Sequence, residues 1–347
     1  MDNTFRSYQI EDKSFVAYIK RTIHNEVIAC NAFSKTQVAE IDIIIAEMTS
    51  NIVKHAGGQG ELLYRIIPDP TEGNGPADDV SARLELICID CGPGIHDTQR
   101  MMKDGVTTTN TLGGGLGAML RLSTFFQIYS LPGWGTVLIS VVDSKRRRNT
   151  MTRLTIDVQA LCVHKPRESV CGDGYRVKRT GYGLSFFLGD GLGHGPHANE
   201  AITKAGEFFM ATEEQDPVLI IREMHEKVRR TRGLVATVAV YEAASKLWRI
   251  CGVGNISTRL YTGITYKNYM SYNGAVGLTI PNSLRESVFP ADRHQHLVMT
   301  SDGIRSRWEL GKYPSILKYD SRLMAAVLYK DFNRGNDDTS VVVAKVN

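Results

Sequence analysis

A stripe of apolar positions follows residue 35. Its members recur at three- and four-residue steps: Val38, Ile41, Ile45, Met48 and Ile52. This spacing is typical of a helix that buries one face, and the pair Gly57-Gly58 is a typical end for such a helix. We therefore predict a long helix over 36–56, preceded by another helical segment.

Shorter patterns predict the rest of the first half. Apolar runs at 61–67 and 82–89 are typical of strands. A glycine-rich loop follows, and after it we predict a helix near 116–125. A hairpin then follows, with strands at 126–131 and 136–142 around the turn Pro132-Gly133-Trp134-Gly135.

The second half is richer in strand-like runs. We predict strands at 183–188, 234–241, 247–252, 258–261, 295–300 and 339–346. Two helix-like segments, 197–210 and 217–230, interrupt them. Both halves mix helices with strands, which predicts an α+β protein whose sheets are covered by helices.

Length and charge divide the chain into two parts. Its 347 residues are about twice the usual domain size. Residues 1–145 hold 12 Lys/Arg and 17 Asp/Glu, a net charge of −5, whereas residues 146–347 hold 29 and 20, a net charge of +9. A basic cluster separates the two parts. We predict a first domain over 1–144, a basic linker over 145–152 and a second domain over 153–347.

Composition excludes several classes of protein. The chain is 42% hydrophobic and 22% charged, which is ordinary for a globular protein. No apolar run approaches the roughly 20 residues that span a bilayer, and the first residues contain acids but no apolar signal region. Six scattered cysteines favour a reducing compartment. The basic residues are interleaved with acids, so we expect a cytoplasmic protein that binds neither membrane nor nucleic acid.

Polar motifs in the first half suit a nucleotide. Glu47, Asn51 and His55 lie four residues apart on one face of the predicted helix, roughly opposite its apolar stripe. Asp90 ends a strand, and a glycine run over 113–117 leads into a helix. Glycines that open a helix offer N–H groups to phosphates, an aspartate can accept a hydrogen bond from an exocyclic amine, and an asparagine oxygen suits Mg²⁺. Cys88 and Cys91 have no second pair for zinc, so we expect both in the core.

In this order the motifs resemble the GHKL (Bergerat-type) ATP-binding family, and more narrowly its RsbT-like anti-sigma-factor serine kinases. The resemblance rests on EMTSNIVKHAGGQG, DCGPGIHDTQRMMKDGVTTTNTLGGGLGAMLRL and GWGTVL, and it covers most of residues 10–142. It implies an α/β sandwich that binds ATP and Mg²⁺ and phosphorylates protein serines.

The same resemblance implies the roles of the site residues. Glu47 would be the general base, Asn51 would hold Mg²⁺, and Asp90 would bind the adenine amine. Gly92 and Gly94 would shape the base pocket, Thr136 would lie beside the adenine, and His55 is a further expected nucleotide contact. Gly113, Gly115 and Gly117 would line the lid over the phosphates.

Aspartates beside glycines recur at strand ends in the second half. They are Asp173, Asp190 and Asp302, together with the pair Asp337-Asp338. A single Asp-Gly pair is mostly a turn. Several such carboxylates at strand ends could instead converge into an all-oxygen site of the kind that Mg²⁺ and Mn²⁺ prefer.

Here the sequence resembles the metal-dependent PPM serine/threonine phosphatases, in the SpoIIE subgroup with its RsbX-like members. The matching stretches are VCGDGYRVK, GDGLGHGPHANEA, RGLVATVAVY, CGVGNISTRLY, MTSDGI and NDDTSVVV, which span nearly all of 165–346. The resemblance implies a β-sandwich flanked by helices, with two Mn²⁺ or Mg²⁺ ions that activate a water for attack on phosphorus.

The resemblance also implies the ligands of these ions. Asp190 would bridge them with help from the Gly191 carbonyl, Asp302 and Asp337 would hold one ion, and Asp173 would sit at or near the other. Leu192 stands where many relatives carry a histidine, so the leaving-group acid is open. Asp338 is either a ligand or a structural partner of Asp337. The basic segment 222–232 is either a solvated face or a dock for an acidic phosphoprotein.

Together, the two resemblances predict a bifunctional regulator of a partner-switching system. The first domain would phosphorylate a serine of a STAS-domain antagonist protein with ATP, and the second would hydrolyse that phosphoserine, upstream of a sigma factor or another output regulator. Two alternatives stay open: the first domain could sense nucleotide, or bind a partner, without transferring phosphate. The oligomeric state is open as well.

Overall fold

A computed structural model describes residues 4–69, 81–102, 115–145 and 156–347. The chain folds as two compact units, one built from Phe5–Thr150 and the other largely from Met151–Asn347. Almost all of the predicted linker lies outside the described residues, and the predicted domain boundaries stay predictions. No helix in the described part of the chain is long and apolar enough to cross a bilayer.

The N-terminal unit is an antiparallel sheet covered by helices. Its strands are β1 (Arg6–Ile10), β2 (Gly60–Asp69), β3 (Ser81–Asp90), β4 (Phe125–Leu131) and β5 (Gly135–Asp143), in the order β1-β2-β3-β5-β4. Its helices are α1 (Lys13–Ala29), α2 (Lys35–His55), α3 (Thr98–Met101) and α4 (Gly115–Leu122). The predicted end of the 116–125 helix is wrong, because Phe125 already pairs with Val141 in the sheet.

The apolar stripe of α2 forms the centre of this unit's core. Ile41, Ile45, Met48 and Ile52 are fully buried against residues of the sheet. Cys88 on β3 belongs to the same core, but Cys91 is exposed. The expectation that both cysteines are buried is therefore wrong for Cys91, because β3 ends at Asp90.

The C-terminal unit contains two five-stranded antiparallel sheets. The first has the order β13-β10-β9-β8-β7 and contains β7 (Asp173–Thr180), β8 (Gly183–Gly191), β9 (Leu234–Glu242), β10 (Leu247–Val253) and β13 (Ser287–Pro290). The second has the order β12-β11-β14-β15-β6 and contains β6 (Ile156–Val163), β11 (Ser257–Thr262), β12 (Thr265–Tyr269), β14 (His296–Thr300) and β15 (Thr339–Val346).

An apolar core joins the two sheets face to face. It includes Phe186 and Trp248 from the first sheet and Leu297 and Val342 from the second. Helices α5 (Pro196–Ala211) and α6 (Pro217–Val228) pack on the outer side of the first sheet, and α7 (Ser321–Phe332) packs on β6 and β15. The predicted α+β class and the helix-flanked sandwich are confirmed, whereas the GHKL assignment of the N-terminal unit stays a prediction.

Candidate functional site

Helices α2 and α4 bring Glu47 against the glycine-rich segment. A Cβ at Gly115 would lie 2.5 Å from Oε2 of Glu47, closer than such atoms can approach. A larger residue at position 115 would therefore displace the Glu47 carboxylate from its place beside the start of α4. The start of a helix carries a partial positive charge, so the Glu47 carboxylate lies at the favourable end of the α4 dipole.

Asp90 and Thr136 lie side by side at the end of the sheet. They pair across β3 and β5, and Oδ1 of Asp90 accepts the backbone N–H of Gly92 at 2.9 Å. Gly92 in turn packs on the last turn of α2, because a Cβ there would lie 3.0 Å from the His55 carbonyl oxygen. The half-buried Asp90 is thus next to the end of the helix that carries Glu47 and Asn51.

Ser130, which the sequence analysis did not single out, lies next to Thr136 at this end of the sheet. Ser130 Oγ lies 3.0 Å from Oγ1 of Thr136, accepts the N–H of Ile95 at 2.8 Å and donates to the Gly135 carbonyl at 2.8 Å. Its neighbours fix the loop that begins at Asp90. Serine in a strand is too common for its spacing to have indicated this role.

The other predicted nucleotide residues differ in their surroundings. Asn51 is half-buried and His55 is exposed on the polar face of α2. Gly94 has a left-handed backbone, with φ of +73°, and packs on the Leu131 carbonyl. Gly117 is buried within α4, and Gly113 lies outside the described residues.

The carboxylates of the second half come together at strand ends. Asp173 and Asp190 face each other in register on β7 and β8. Asp302 follows β14 and Asp337 precedes β15, and these two strands are also neighbours. Asp173 is 3% exposed, and neither of its carboxylate oxygens has a hydrogen-bond partner in the described part of the chain.

Burial and mutual repulsion disfavour the charged forms of these groups. Burial raises the pKa of Asp190, and the negative charges of Asp173, Asp302, Asp337 and Asp338 raise it further. Burial likewise raises the pKa of Asp173. The nearby Ser301 hydroxyl lowers it, and the negative charge of Asp338 raises it. The charged groups that shift the pKa of Asp190 are all carboxylates, so negative charge is concentrated here.

Such a cluster suits hard divalent cations. Among the described residues no three Asp, Glu, His or Cys side chains are arranged to hold one ion by themselves. Mg²⁺ keeps several of its waters and often binds through one or two carboxylates, so the aspartate pairs are sufficient donors. The buried Asp173 carboxylate without a partner fits this chemistry, since an unpaired buried charge is costly.

Asp338 has a structural role beside the cluster. Its Oδ1 accepts the Lys165 N–H at 2.8 Å and its Oδ2 accepts the Gly172 N–H at 3.0 Å. These bonds tie the segment that leads into β7 to the segment that leads into β15. Of the two alternatives for Asp338, the hydrogen bonds favour the structural one.

Comparisons with known proteins agree with both halves of this description. Residues 180–347 match the family described as Stage II sporulation protein E (SpoIIE). The serine/threonine-protein kinase RsbT of Bacillus subtilis (strain 168) is 32% identical over 109 residues, which are 31% of this chain and 74% of RsbT. The chain joins an RsbT-family region to a SpoIIE-type phosphatase domain.

Two further relatives match the SpoIIE-type domain. The phosphoserine phosphatase RsbX of Bacillus subtilis (strain 168) is 26% identical over 100 residues, which are 29% of this chain and half of RsbX. A chain from the structural study of the bacterial stressosome, a modular system adapted to control secondary messenger signaling, is 25% identical with a TM-score of 0.51. That match covers 55% of this chain and 98% of the other. Both are similarities of sequence and fold that accompany the SpoIIE match over residues 180–347.

The SpoIIE-type domain also contains polar neighbours of the cluster that the sequence did not reveal. Nδ2 of Asn255 donates to Oδ2 of Asp302 at 3.1 Å. In the loop after Asp190, Nδ1 of His194 lies 2.7 Å from Oε1 of Glu168. The Arg232 guanidinium lies beside Gly193, since a Cβ there would be 2.9 Å from its Nη1. These contacts join residues that are distant in sequence, so no local sequence pattern could have predicted them.

Proposed function

We propose that this chain is a bifunctional partner-switching regulator. Its SpoIIE-type domain hydrolyses a protein phosphoserine, and its RsbT-family region transfers the terminal phosphoryl group of ATP to a serine. The observation that carries the phosphatase is the meeting of Asp173, Asp190, Asp302 and Asp337 at strand ends, with a buried Asp173 carboxylate that lacks a partner. The similarity to RsbX supports phosphoserine as the substrate.

The aspartates would divide between two Mn²⁺ or Mg²⁺ ions. Asp190, with the Gly191 carbonyl, would bridge them, Asp302 and Asp337 would serve one, and Asp173 would serve the other. Bound ions of this kind supply an activated water and neutralise the phosphoryl oxygens. The chain itself orients the ligands: Asn255 holds one oxygen of Asp302, and Asp338 fixes the approach to β7.

Hydrolysis of a phosphoserine protein tests the phosphatase. We expect activity that requires added Mn²⁺ or Mg²⁺, is abolished in Asp190→Ala at any metal concentration, and is partly rescued by excess Mn²⁺ in Asp302→Ala. Asp292→Ala is the matched control, since Asp292 is exposed beyond the other end of β14. Full activity in folded Asp190→Ala, or activity that a chelator does not reduce, would refute the two-metal assignment.

For the kinase, the supporting observation is the contact between Glu47 and the start of α4. This carboxylate is half-buried, lies beside Gly115, and shares a helix face with Asn51. In phosphoryl transfer the protein mainly positions groups and stabilises charge, and a base one turn from a magnesium ligand suits that task. The RsbT relationship makes a STAS-domain antagonist protein the proposed acceptor, with a sigma factor or another regulator as the output.

Separating binding from transfer tests the kinase. We expect Glu47→Gln to bind ATP with wild-type affinity in calorimetry but to label no STAS-domain acceptor from γ-labelled ATP. Asp90→Asn should lose nucleotide binding. Glu40→Gln, two turns earlier on α2, should keep both activities. Nucleotide binding without labelling by any candidate acceptor, in a phosphatase-dead background, would replace the kinase by a nucleotide sensor.

A further inference from the structure

A pocket lined by arginines opens on the two loops that carry Asp302 and Asp337. Its volume is about 480 Å³, and its lining residues are Arg305, Ser306, Arg307, Arg334 and Asn336. The first three follow Asp302 within five residues, and the last two precede Asp337 within three. The pocket therefore shares its two loops with two of the proposed metal ligands.

Backbone hydrogen bonds hold these two loops together. The Arg305 N–H donates to the Phe332 carbonyl at 2.8 Å, and the Arg334 N–H donates to the Gly303 carbonyl at 2.9 Å. Because the backbone is fixed on both sides, the arginine side chains extend from a defined base. All three side chains are exposed.

The three pocket arginines lack carboxylate partners among the described residues. Within the described residues, none of Arg305, Arg307 and Arg334 forms an ion pair with a carboxylate. The basic segment 222–232 differs: Arg229 pairs with Glu226, and Arg222 donates to the Asn282 carbonyl. The pocket is the better candidate for an anionic partner, because its charges are still available.

Metal binding at the cluster would make the electrostatic potential at the pocket more positive. Four carboxylates carry four negative charges when ionised, and two divalent cations would balance them. The arginines would then dominate the local field beside the place where phosphoserine is hydrolysed. Guanidinium groups form paired hydrogen bonds with carboxylates, which suits acidic side chains.

We propose that this arginine pocket binds an acidic segment of the protein substrate next to its phosphoserine. The proposal rests on the phosphatase function proposed above and specifies its substrate class. The pocket arginines lie three to five residues from Asp302 or Asp337, a span of at most roughly 10 to 18 Å. An extended substrate advances about 3.3 Å per residue, so acidic residues about two to five positions from the phosphoserine would reach the pocket.

Two phosphoserine peptides of equal length test the proposal. One carries Asp or Glu two to five positions from the phosphoserine, and the other carries Gln or Ser there. For the wild-type chain with Mn²⁺ we expect kcat/KM to favour the acidic peptide by about tenfold or more, mainly through KM. The preference should fall with added salt, because screening weakens contacts between exposed charges.

Variants of the pocket arginines test whether the preference for the acidic peptide arises in this pocket. Arg305→Ala, Arg307→Ala and Arg334→Ala should each reduce it several-fold, and the triple variant should abolish it. Arg293→Ala removes the same charge from an exposed position before β14, at the end opposite Asp302, and should keep it. Circular dichroism confirms folding, and the single variants decide the matter if the triple variant unfolds.

The outcomes separate this proposal from the function on which it rests. If the wild-type chain hydrolyses neither peptide nor p-nitrophenyl phosphate, the proposed phosphatase fails. Equal kcat/KM for the two peptides, or a preference that survives in all arginine variants, overturns the pocket proposal alone. Binding of a labelled single-stranded oligonucleotide that the variants lose, with an unchanged peptide preference, would overturn it in favour of nucleic acid.

Discussion

Asp173 and Asp190 occupy facing positions on neighbouring strands, and burial makes the charge of each costly. An isolated buried carboxylate costs several kcal/mol unless a partner offsets it, and Asp173 has no hydrogen-bond partner among the described residues. Such a pair lowers the stability of the fold when no cation is bound. Its presence is explained if the two carboxylates bind a cation. The sequence located these aspartates beside glycines, but it could not show that one is buried, because Asp-Gly is also the pattern of a surface turn.

His296 is a second buried polar residue, and it makes the C-terminal unit sensitive to acid. It is 1% exposed, and neither ring nitrogen has a hydrogen-bond partner in the described chain. Burial first, and then the positive charge of Lys345, lower the pKa of His296 to about 4. The unfolded chain therefore binds more protons than the fold between about pH 6.5 and 4. The stabilisation by neutral His296 is complete above that window and is lost as pH falls through it.

We expect His296→Leu to flatten this pH dependence. Between pH 7 and pH 4 the free energy of unfolding of the wild type should fall by about 3 kcal/mol more than that of the variant. Urea titrations at a series of pH values measure the difference. His197→Gln, at an exposed position on α5, should follow the wild type. Parallel curves for wild type and His296→Leu would show that folding does not shift the pKa of His296.

At the scale of elements, α2 connects packing with chemistry. Its apolar stripe anchors the helix in the core, and its polar face carries Glu47 and Asn51. The helix begins with a capping box, in which Ser34 and Gln37 each accept the backbone N–H of the other. Nε2 of Gln37 also donates to the carbonyls of Asp143 and Ser144, both at 3.1 Å, which ties α2 to the end of β5.

Gln37→Ala should loosen this helix start. The substitution removes one half of the capping box and both bonds to the end of β5, so we expect a loss of about 1–2 kcal/mol in the local stability of α2. Hydrogen exchange followed by mass spectrometry should show faster exchange in the first turns of α2. Thr36→Ala, at an exposed position in the same turn, is the control. Equal exchange in both variants would contradict the role assigned to Gln37.

The sequence predicted elements where one periodicity dominates, as in α2 and in the apolar strands β3 and β9. It missed α7, because nine consecutive residues of that helix are buried and no polar face marks its period. It also missed β7, an edge strand whose Arg176, Lys178 and Arg179 hide the alternation. In the site, motifs located the aspartates and glycines. Asn255, Ser130 and the arginine pocket depend on contacts between distant segments, which no local pattern reports.

For the whole molecule, the two opposed reactions proposed for this chain predict a cycle. With ATP, divalent metal and a STAS-domain acceptor, we expect phosphoserine to rise to a plateau short of completion, since removal grows with the amount of product until it equals addition. ATP consumption should continue after the plateau, because each round hydrolyses one phosphoryl group. Asp190→Ala should drive the acceptor to full phosphorylation and then stop consuming ATP.

The Glu47→Gln variant tests the opposite arm of the cycle, and the same assay distinguishes a kinase from a nucleotide sensor. Glu47→Gln should leave the acceptor unmodified with ATP, yet it should dephosphorylate acceptor that was phosphorylated beforehand. Phosphoserine by mass spectrometry and ADP by a coupled assay follow both arms in one mixture. If ATP changes the dephosphorylation rate while no ADP forms, the RsbT-family region acts as a nucleotide sensor for the phosphatase. Continued ADP formation at constant phosphoserine, abolished by either variant, requires both activities, because neither reaction alone can consume ATP without net product.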